Sequence, residues 1–86
     1  MVTKAKINFN DNNYPDLGSI TADESGDLIL LSADISKLNN VLTKENITKN
    51  YGVEFPYKSG DIAFVTDATR IFMYESSSDM WYELGG

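Results

Sequence analysis

The side chains best suited to acid–base chemistry are pairs of carboxylates in the C-terminal part of the chain. The candidate pairs are Asp67 with Glu75 and Asp79 with Glu83. Glycosidases place two such groups on either side of a substrate cleft, one as the acid and the other as base or nucleophile. A chain of 86 residues has little material with which to build that cleft. We therefore interpret these carboxylates as solvated charges at strand ends, and predict no catalytic residue and no enzymatic activity.

Metal and nucleophile chemistry is restricted by composition, because the chain contains neither cysteine nor histidine. The usual zinc ligands and the Cys-His and Ser-His mechanisms are therefore missing within one chain. The alternating asparagines of residues 8–12 loosely resemble the start of a calcium loop. However, Asn13 stands where that loop needs glycine, and Ser19 where it needs glutamate. We predict no metal site and no cofactor.

The charge balance argues against nucleic acid as a partner, and the distribution of apolar residues argues against a membrane. Thirteen acidic residues against seven basic ones give a formal net charge of -6, and Arg70 is the only arginine. A phosphate-binding surface needs clustered Lys and Arg, so we predict no nucleic-acid binding. The longest strongly apolar run, residues 28–31, is far too short to span a membrane, and the N-terminus lacks the apolar core of a signal peptide.

Residues 60–84 read as three strands joined by two turns, and both faces of the sheet that they form are apolar. One predicted face carries Ala63, Val65, Phe72, Tyr74 and Trp81. The other carries Ile62, Phe64, Ile71, Met73, Met80 and Tyr82. Alternate residues of a strand point to opposite faces, and a small sheet with one face in water normally has a polar face. Both faces of this sheet therefore need a cover, from the rest of the chain or from a neighbouring subunit.

The remaining elements predict a mainly β, small α+β fold in a single domain over residues 1–86. We expect an N-terminal strand over residues 4–9, a hairpin over residues 19–32, one short helical segment within residues 33–50 and an antiparallel meander over residues 61–84. The helical segment carries an apolar stripe that we expect to pack on one face of the meander. The stripe consists of Ile35, Leu38 and Leu42.

The helical segment contains its own signals for a break and an end. Asn39 and Asn40 weaken helix propensity, so the helix is expected to be short or to break there. Thr43 can start a second turn that runs through Asn50, and Gly52 suits the left-handed residue that ends a helix.

Four aromatic side chains are the candidate interface or binding residues: Phe72, Tyr74, Trp81 and Tyr82. Tyr and Trp are enriched at the centres of protein interfaces, and aromatic rings also stack on sugars. The same rings can equally form the core of so small a domain. The sequence leaves these three interpretations open.

Residues 58–74 and 79–84 resemble a hairpin module of small virion proteins from tailed bacteriophages and prophages. The module opens with a strand of the type G-D-x-A-F-V-x-D, which here begins at Gly60. An aromatic strand, a polar loop and a W-Y-E ending follow, although Phe72 stands where Tyr is common. The resemblance implies a capsid decoration, head-fibre or tail component, located in the virion after synthesis in the bacterial cytoplasm. It also implies other virion proteins as partners. The two apolar faces predict a homo-oligomer, because they exceed what so small a domain can bury, and the resemblance favours a trimer.

The resulting prediction is a non-enzymatic bacteriophage virion structural protein that acts through protein–protein contacts. Two alternatives come from other classes. The first is a small acidic phage-encoded inhibitor of a host enzyme. The second is a sugar-binding tip domain that uses Tyr74, Trp81 and Tyr82.

Overall fold

The computed structural model describes residues 17, 20–22 and 27–85 of the chain. In chain order the elements are β1 (Thr21–Ala22), β2 (Leu28–Leu30), a 3-10 turn (Ser32–Asp34), α1 (Ile35–Asn40), α2 (Lys44–Tyr51), β3 (Ile62–Val65), β4 (Arg70–Glu75) and β5 (Met80–Leu84). The strand predicted over residues 4–9 and the asparagine run of residues 8–12 lie outside the described residues.

The strands form one mixed sheet in the order β1-β2-β3-β4-β5. The pairs β1–β2, β3–β4 and β4–β5 are antiparallel, so the predicted antiparallel arrangement is confirmed in part. The pair β2–β3 is parallel, so the sheet is not antiparallel throughout. The reason is the helical connection between these strands, because parallel neighbours need a crossover of a dozen or more residues.

The predicted single helical segment is corrected to two helices with a break between them. The first helix, α1, ends at Asn40, the second residue of the asparagine pair. Thr43 begins α2 in an extended conformation, and its hydroxyl oxygen accepts the backbone N–H of Asn46 at 3.2 Å. Gly52 ends α2 with a φ of 67°, a conformation that glycine adopts without a steric penalty. The two cap predictions are confirmed, and α2 extends one residue beyond the predicted limit, to Tyr51.

One face of the sheet, the covered face, packs against both helices. Leu38 and Leu42 of the predicted stripe are fully buried, and Ile35 is partly buried against the same core. Ile47 of α2 adds a further buried side chain. The sheet contributes Leu28, Leu30, Ala63, Val65, Phe72, Tyr74 and Trp81 to this core. The prediction that the stripe packs on one face of the meander is confirmed.

The strand register sorts the meander side chains into the two predicted sets. Residues that are directly opposed on neighbouring strands point to the same face. Ala63 is opposed to Phe72, and Tyr74 to Trp81, all on the covered face. On the other face one row of partners crosses all five strands: Thr21, Ile29, Phe64, Ile71 and Leu84. Apart from Thr21, every member of this row is aliphatic or aromatic.

Candidate functional site

The four candidate aromatic residues do not share one surface. Phe72, Tyr74 and Trp81 are buried on the covered face, whereas Tyr82 is 46% exposed on the opposite face. The indole N–H of Trp81 donates to the carbonyl oxygen of Leu42 at 2.8 Å, which ties β5 to the turn between α1 and α2. The first three rings therefore serve as core, and Tyr82 alone is available for external contacts.

The buried rings form a continuous aromatic cluster. The centroid of Trp81 lies 5.3 Å from that of Tyr74 and 6.0 Å from that of Tyr57, and Phe55 contacts both tyrosines. Burial raises the pKa of Tyr57, and the nearby charge of Asp61 raises it further. These rings stay neutral and apolar at physiological pH, as expected for the interior of a small domain.

The face opposite the helices, here called the open face, is apolar and partly exposed. Its aliphatic and aromatic side chains are Ile29, Ile62, Phe64, Ile71, Met73, Met80, Tyr82 and Leu84. The four most exposed of these belong to β4 and β5, with 38–46% of their surface in water. Contiguous apolar patches on soluble proteins mark interaction sites more often than chance exposure does. The open face is therefore the candidate functional surface of the described residues.

Charge is nearly absent from the strands of the open face. Glu75 is the one carboxylate among the described strand residues that point to this side, and it is opposed to Met80. The backbone N–H and the hydroxyl of Ser77 both donate to its carboxylate at 3.0 Å, and the hydroxyl of Ser59 donates at 3.2 Å. These bonds lower the pKa of Glu75, first through the backbone and then through the two hydroxyls. The carboxylate of Glu75 is therefore already hydrogen-bonded to Ser59 and Ser77 at the end of the strand.

The ion pair of β4 and β5 belongs to the other side of the sheet. Arg70 donates to the two carboxylate oxygens of Glu83 at 2.7 and 3.0 Å, and its guanidinium lies 5.4 Å from the centre of the Phe72 ring. The hydrogen bond from Arg70 lowers the pKa of Glu83. Both charged side chains therefore point to the covered face. Although the chain has a net charge of -6, the strands present an almost uncharged surface on the open face.

The outer edge of β5 is blocked by one side chain. The backbone N–H of Trp81 donates to the Oδ1 atom of Asn39 at 2.7 Å, and the Nδ2 atom of Asn39 donates to the carbonyl oxygen of Trp81 at 3.1 Å. The amide thus makes the pair of hydrogen bonds that a neighbouring strand would make. Because unpaired edges invite strand addition, this contact discourages partners from extending the sheet at Trp81.

One carboxylate of each candidate acid–base pair, Asp67 and Asp79, holds the start of a helix instead. Asp67, in the turn between β3 and β4, accepts the backbone N–H and the hydroxyl of Ser32 at 2.8 and 2.7 Å. These two bonds lower the pKa of Asp67. Its proposed partner Glu75 binds Ser59 and Ser77 instead, so the two carboxylates have no hydrogen-bonding partner in common.

Asp79, in the turn between β4 and β5, caps α2 from a distant part of the chain. Its carboxylate accepts the backbone N–H groups of Lys44 and Glu45 at 2.7 and 3.1 Å, and the hydroxyl of Tyr74 at 2.5 Å. Partial burial raises the pKa of Asp79, but the bonds from Tyr74, Lys44 and Glu45 outweigh it and the net pKa is lowered. Its proposed partner Glu83 pairs with Arg70 instead.

The described part of the chain contains neither a cluster of metal ligands nor a membrane-spanning helix. No group of three or more acidic side chains lies close enough there to hold a metal ion. None of the helices in residues 27–85 is long and apolar enough to cross a membrane.

A comparison of the chain with protein-family models, curated proteins and solved structures found no match. The function is therefore inferred from the open face and from the sequence pattern of residues 58–84.

Proposed function

We propose that this protein is a non-enzymatic structural component of a tailed-bacteriophage virion and acts through protein–protein contacts made by the open face. The observation that carries the proposal is the open face itself: eight aliphatic or aromatic side chains on a chain of net charge -6. Interfaces are depleted in charge at their centre and enriched in Tyr and Met, and the open face has both properties.

The energetic argument follows from the exposure of this surface. Ile71, Tyr82 and Leu84 each keep more than a third of their surface in water. Burial of apolar surface stabilises association by roughly 25 cal/mol per Å² before the costs of ordering are subtracted. A partner that covers the open face therefore gains free energy without having to desolvate a charged group at its centre.

The assignment to a virion is supported by the resemblance in residues 58–74 and 79–84. The matching residues include the three strands of the meander except Glu75, so the part of the chain that resembles the phage module also carries most of the open face. Gly60, which opens the module, has a φ of 100° and donates its N–H to the carbonyl oxygen of Tyr74 at 3.1 Å. The proposal includes other virion proteins as partners and a capsid decoration, head-fibre or tail position. The trimer stays a prediction from the resemblance.

Two of the three rings that the sugar-binding alternative requires are buried in the core. Tyr74 and Trp81 are each 2% exposed, so neither can stack on a glycan without opening the core. Tyr82 alone does not form a platform. The described residues therefore offer no aromatic platform for a sugar, and the acidic inhibitor is the alternative if the protein is absent from particles.

The proposal predicts that the protein is a stoichiometric part of phage particles. Particles purified by density gradient from an induced host that carries the gene are analysed by quantitative mass spectrometry. We expect the protein at a fixed ratio to the major capsid or tail protein, retained after a high-salt wash because apolar contacts are not screened by salt. Presence in the lysate without presence in particles would contradict the proposal, and co-purification with a host enzyme in that case would support the inhibitor.

A further inference from the structure

We infer that α2 opens and closes as a local unit while the strands of the sheet stay paired, and that the carboxylate of Asp79 controls this opening. The inference concerns the covered face and is independent of the proposed function, which concerns the open face. The packing of α2, the backbone at its two ends and its contact with the β4–β5 turn each bear on it.

Little buried surface holds α2 against the core. The helix has eight residues, and isolated helices shorter than about 12–15 residues are marginal in water. Ile47 is its one fully buried side chain, and Tyr51 packs partly against the same core. Five of its side chains are exposed to water: Lys44, Glu45, Thr48, Lys49 and Asn50. The packing of α2 therefore depends mainly on two side chains.

The backbone leaves helical geometry at both ends of α2. Val41, between the two helices, has a φ of -126° and a ψ of -44°, and Thr43 is extended. At the other end Gly52 is left-handed, and no helix or strand lies between α2 and β3. Hinges are a few residues of this kind, at the ends of elements, that absorb large changes in φ and ψ. Consequently α2 can move without displacing α1 or β3.

The sheet holds the start of α2 through one carboxylate. Asp79 accepts the backbone N–H of Lys44 at 2.7 Å and that of Glu45 at 3.1 Å. The first N–H groups of a helix have no partner within it, so these two bonds satisfy groups that the helix itself leaves open. The side-chain amide of Asn46 donates instead to the carbonyl oxygen of Asn40 at 2.9 Å, which ties α2 to α1 and not to the sheet.

The negative charge of Asp79 strengthens its contact with α2. Hydrogen bonds to an ionised group are roughly twice as strong as neutral ones, and the helix dipole also favours an anion at this end. The groups that face the carboxylate are the hydroxyl of Tyr74 from β4, and Lys44 and Glu45 from α2. Partial burial raises the pKa of Asp79, but these bonds and the charge of Lys44 outweigh it. Loss of the charge, by substitution or by protonation in acid, therefore raises the open fraction of α2.

Opening of α2 exposes part of the covered face to water. Ile47 belongs to the core that also contains Tyr74 and Trp81. When α2 moves away, β4 keeps its pairing with β3 and β5, and Asn39 still holds α1 on β5. The open form is thus a paired sheet with α1 in place and with newly accessible apolar surface where α2 had been.

Hydrogen exchange of single backbone amides, followed by NMR on the full chain near neutral pH and in low concentrations of urea, tests the inference. We expect the amides of residues 47–52 to open at least about tenfold more often than those of β4, and with a smaller dependence on urea, because local opening exposes less surface than global unfolding. This comparison uses the wild-type protein alone. Equal opening and equal urea dependence of α2 and β4 would overturn the inference, because α2 would then open only when the whole domain unfolds.

The role of Asp79 is tested by substitution. Asp79→Asn should raise the opening of α2 by about tenfold, the effect of losing a helix cap. The matched control Ser78→Ala, in the same turn, should change it by less than about twofold, and circular dichroism confirms that both variants are folded. An equal effect of the two substitutions on α2 would show that Asp79 does not control the opening.

Acid provides a second test of Asp79. In wild type the opening of α2, corrected for the intrinsic rate of exchange, should rise as the pH falls below 3.8, the ordinary pKa of the Asp79 carboxyl, because the closed form has the lower pKa. The rise should be smaller in Asp79→Asn. The carboxylate of Glu45 is present in both proteins, so the difference between them isolates Asp79. The same acid dependence in both proteins would contradict control by its charge.

Discussion

Replacing Trp81 by alanine is expected to lower the free energy of unfolding by about 3–5 kcal/mol, the range for removing a large aromatic side chain from a core. The indole is 2% exposed, contacts the rings of Tyr57 and Tyr74, and donates to the carbonyl of Leu42. Its loss leaves a cavity between β5 and the helices and an unpaired carbonyl. Because small domains are stable by only about 5–15 kcal/mol, the variant should be largely unfolded or close to it at 37 °C.

Urea denaturation followed by circular dichroism measures this effect, since Trp81 is the only tryptophan and its fluorescence is lost in the variant. The control is the neighbouring Tyr82→Ala on the open face, which should change the free energy of unfolding by less than about 1 kcal/mol. Equal destabilisation by the two substitutions would mean that Trp81 is not the centre of the core.

Replacing Asp79 by asparagine is expected to lower the free energy of unfolding by about 1–3 kcal/mol at neutral pH, from the loss of a helix cap and of charge-assisted hydrogen bonds. The carboxylate joins the start of α2, through Lys44 and Glu45, to the hydroxyl of Tyr74. Asparagine is the suitable substitute because Asp79 has a φ of 56°, a conformation that asparagine tolerates and alanine does not. Thermal melts of the two proteins measure the difference, with Ser78→Ala in the same turn as the control.

The difference in the free energy of unfolding between wild type and Asp79→Asn should be smaller at acidic pH. The pKa of Asp79 in the folded state lies below its ordinary value of 3.8. A depressed pKa means that the carboxylate stabilises the folded state above the unfolded pKa, and that this stabilisation is lost as the pH falls through the folded pKa. The gap in stability between wild type and Asp79→Asn is therefore fully present at pH values above the ordinary pKa of 3.8, and it shrinks as the pH falls through the lower folded-state pKa. A gap that is constant from pH 7 to pH 2 would show that charge on Asp79 does not hold the helix.

The features that sequence predicted well depend on local periodicity and on single caps. The alternation of side chains along β4 correctly assigned Phe72 and Tyr74 to one face and Ile71 and Met73 to the other. This assignment needs no tertiary information, because successive side chains of any strand point to opposite faces. Thr43 and Gly52 were identified as helix ends because their bonds and dihedral angles involve residues within one turn.

The features that sequence did not predict depend on pairs of residues far apart in the chain. Asp79 caps α2 across 34 and 35 residues, and Asn39 holds the edge of β5 across 42. The parallel pairing of β2 with β3 likewise requires knowing that the helices return the chain to the same end of the sheet. No local pattern marks these contacts, so Asp79 was interpreted as a solvated charge at a strand end and Asn39 as a helix breaker.

The core and surface roles of the aromatic residues were undecided for a related reason. Phe72, Tyr74, Trp81 and Tyr82 have the composition of both a core and an interface, and composition does not indicate which face the helices cover. The positions of Leu38 and Leu42 decide it, because they pack on the face of Tyr74 and Trp81 and leave Tyr82 exposed.

The measurement that tests the central claim most directly is hydroxyl-radical footprinting of the open face in free and assembled protein. Met80 and Tyr82, which are 41% and 46% exposed, report on the open face, and Val53 reports on a surface outside the sheet. The protein at about 1 µM is compared with the protein in purified particles, with modification of each peptide quantified by mass spectrometry. An interface on the open face predicts strong modification of Met80 and Tyr82 in the free chain and a loss on the order of tenfold in particles, with Val53 unchanged. Equal modification of Met80 and Tyr82 in the two states would contradict it.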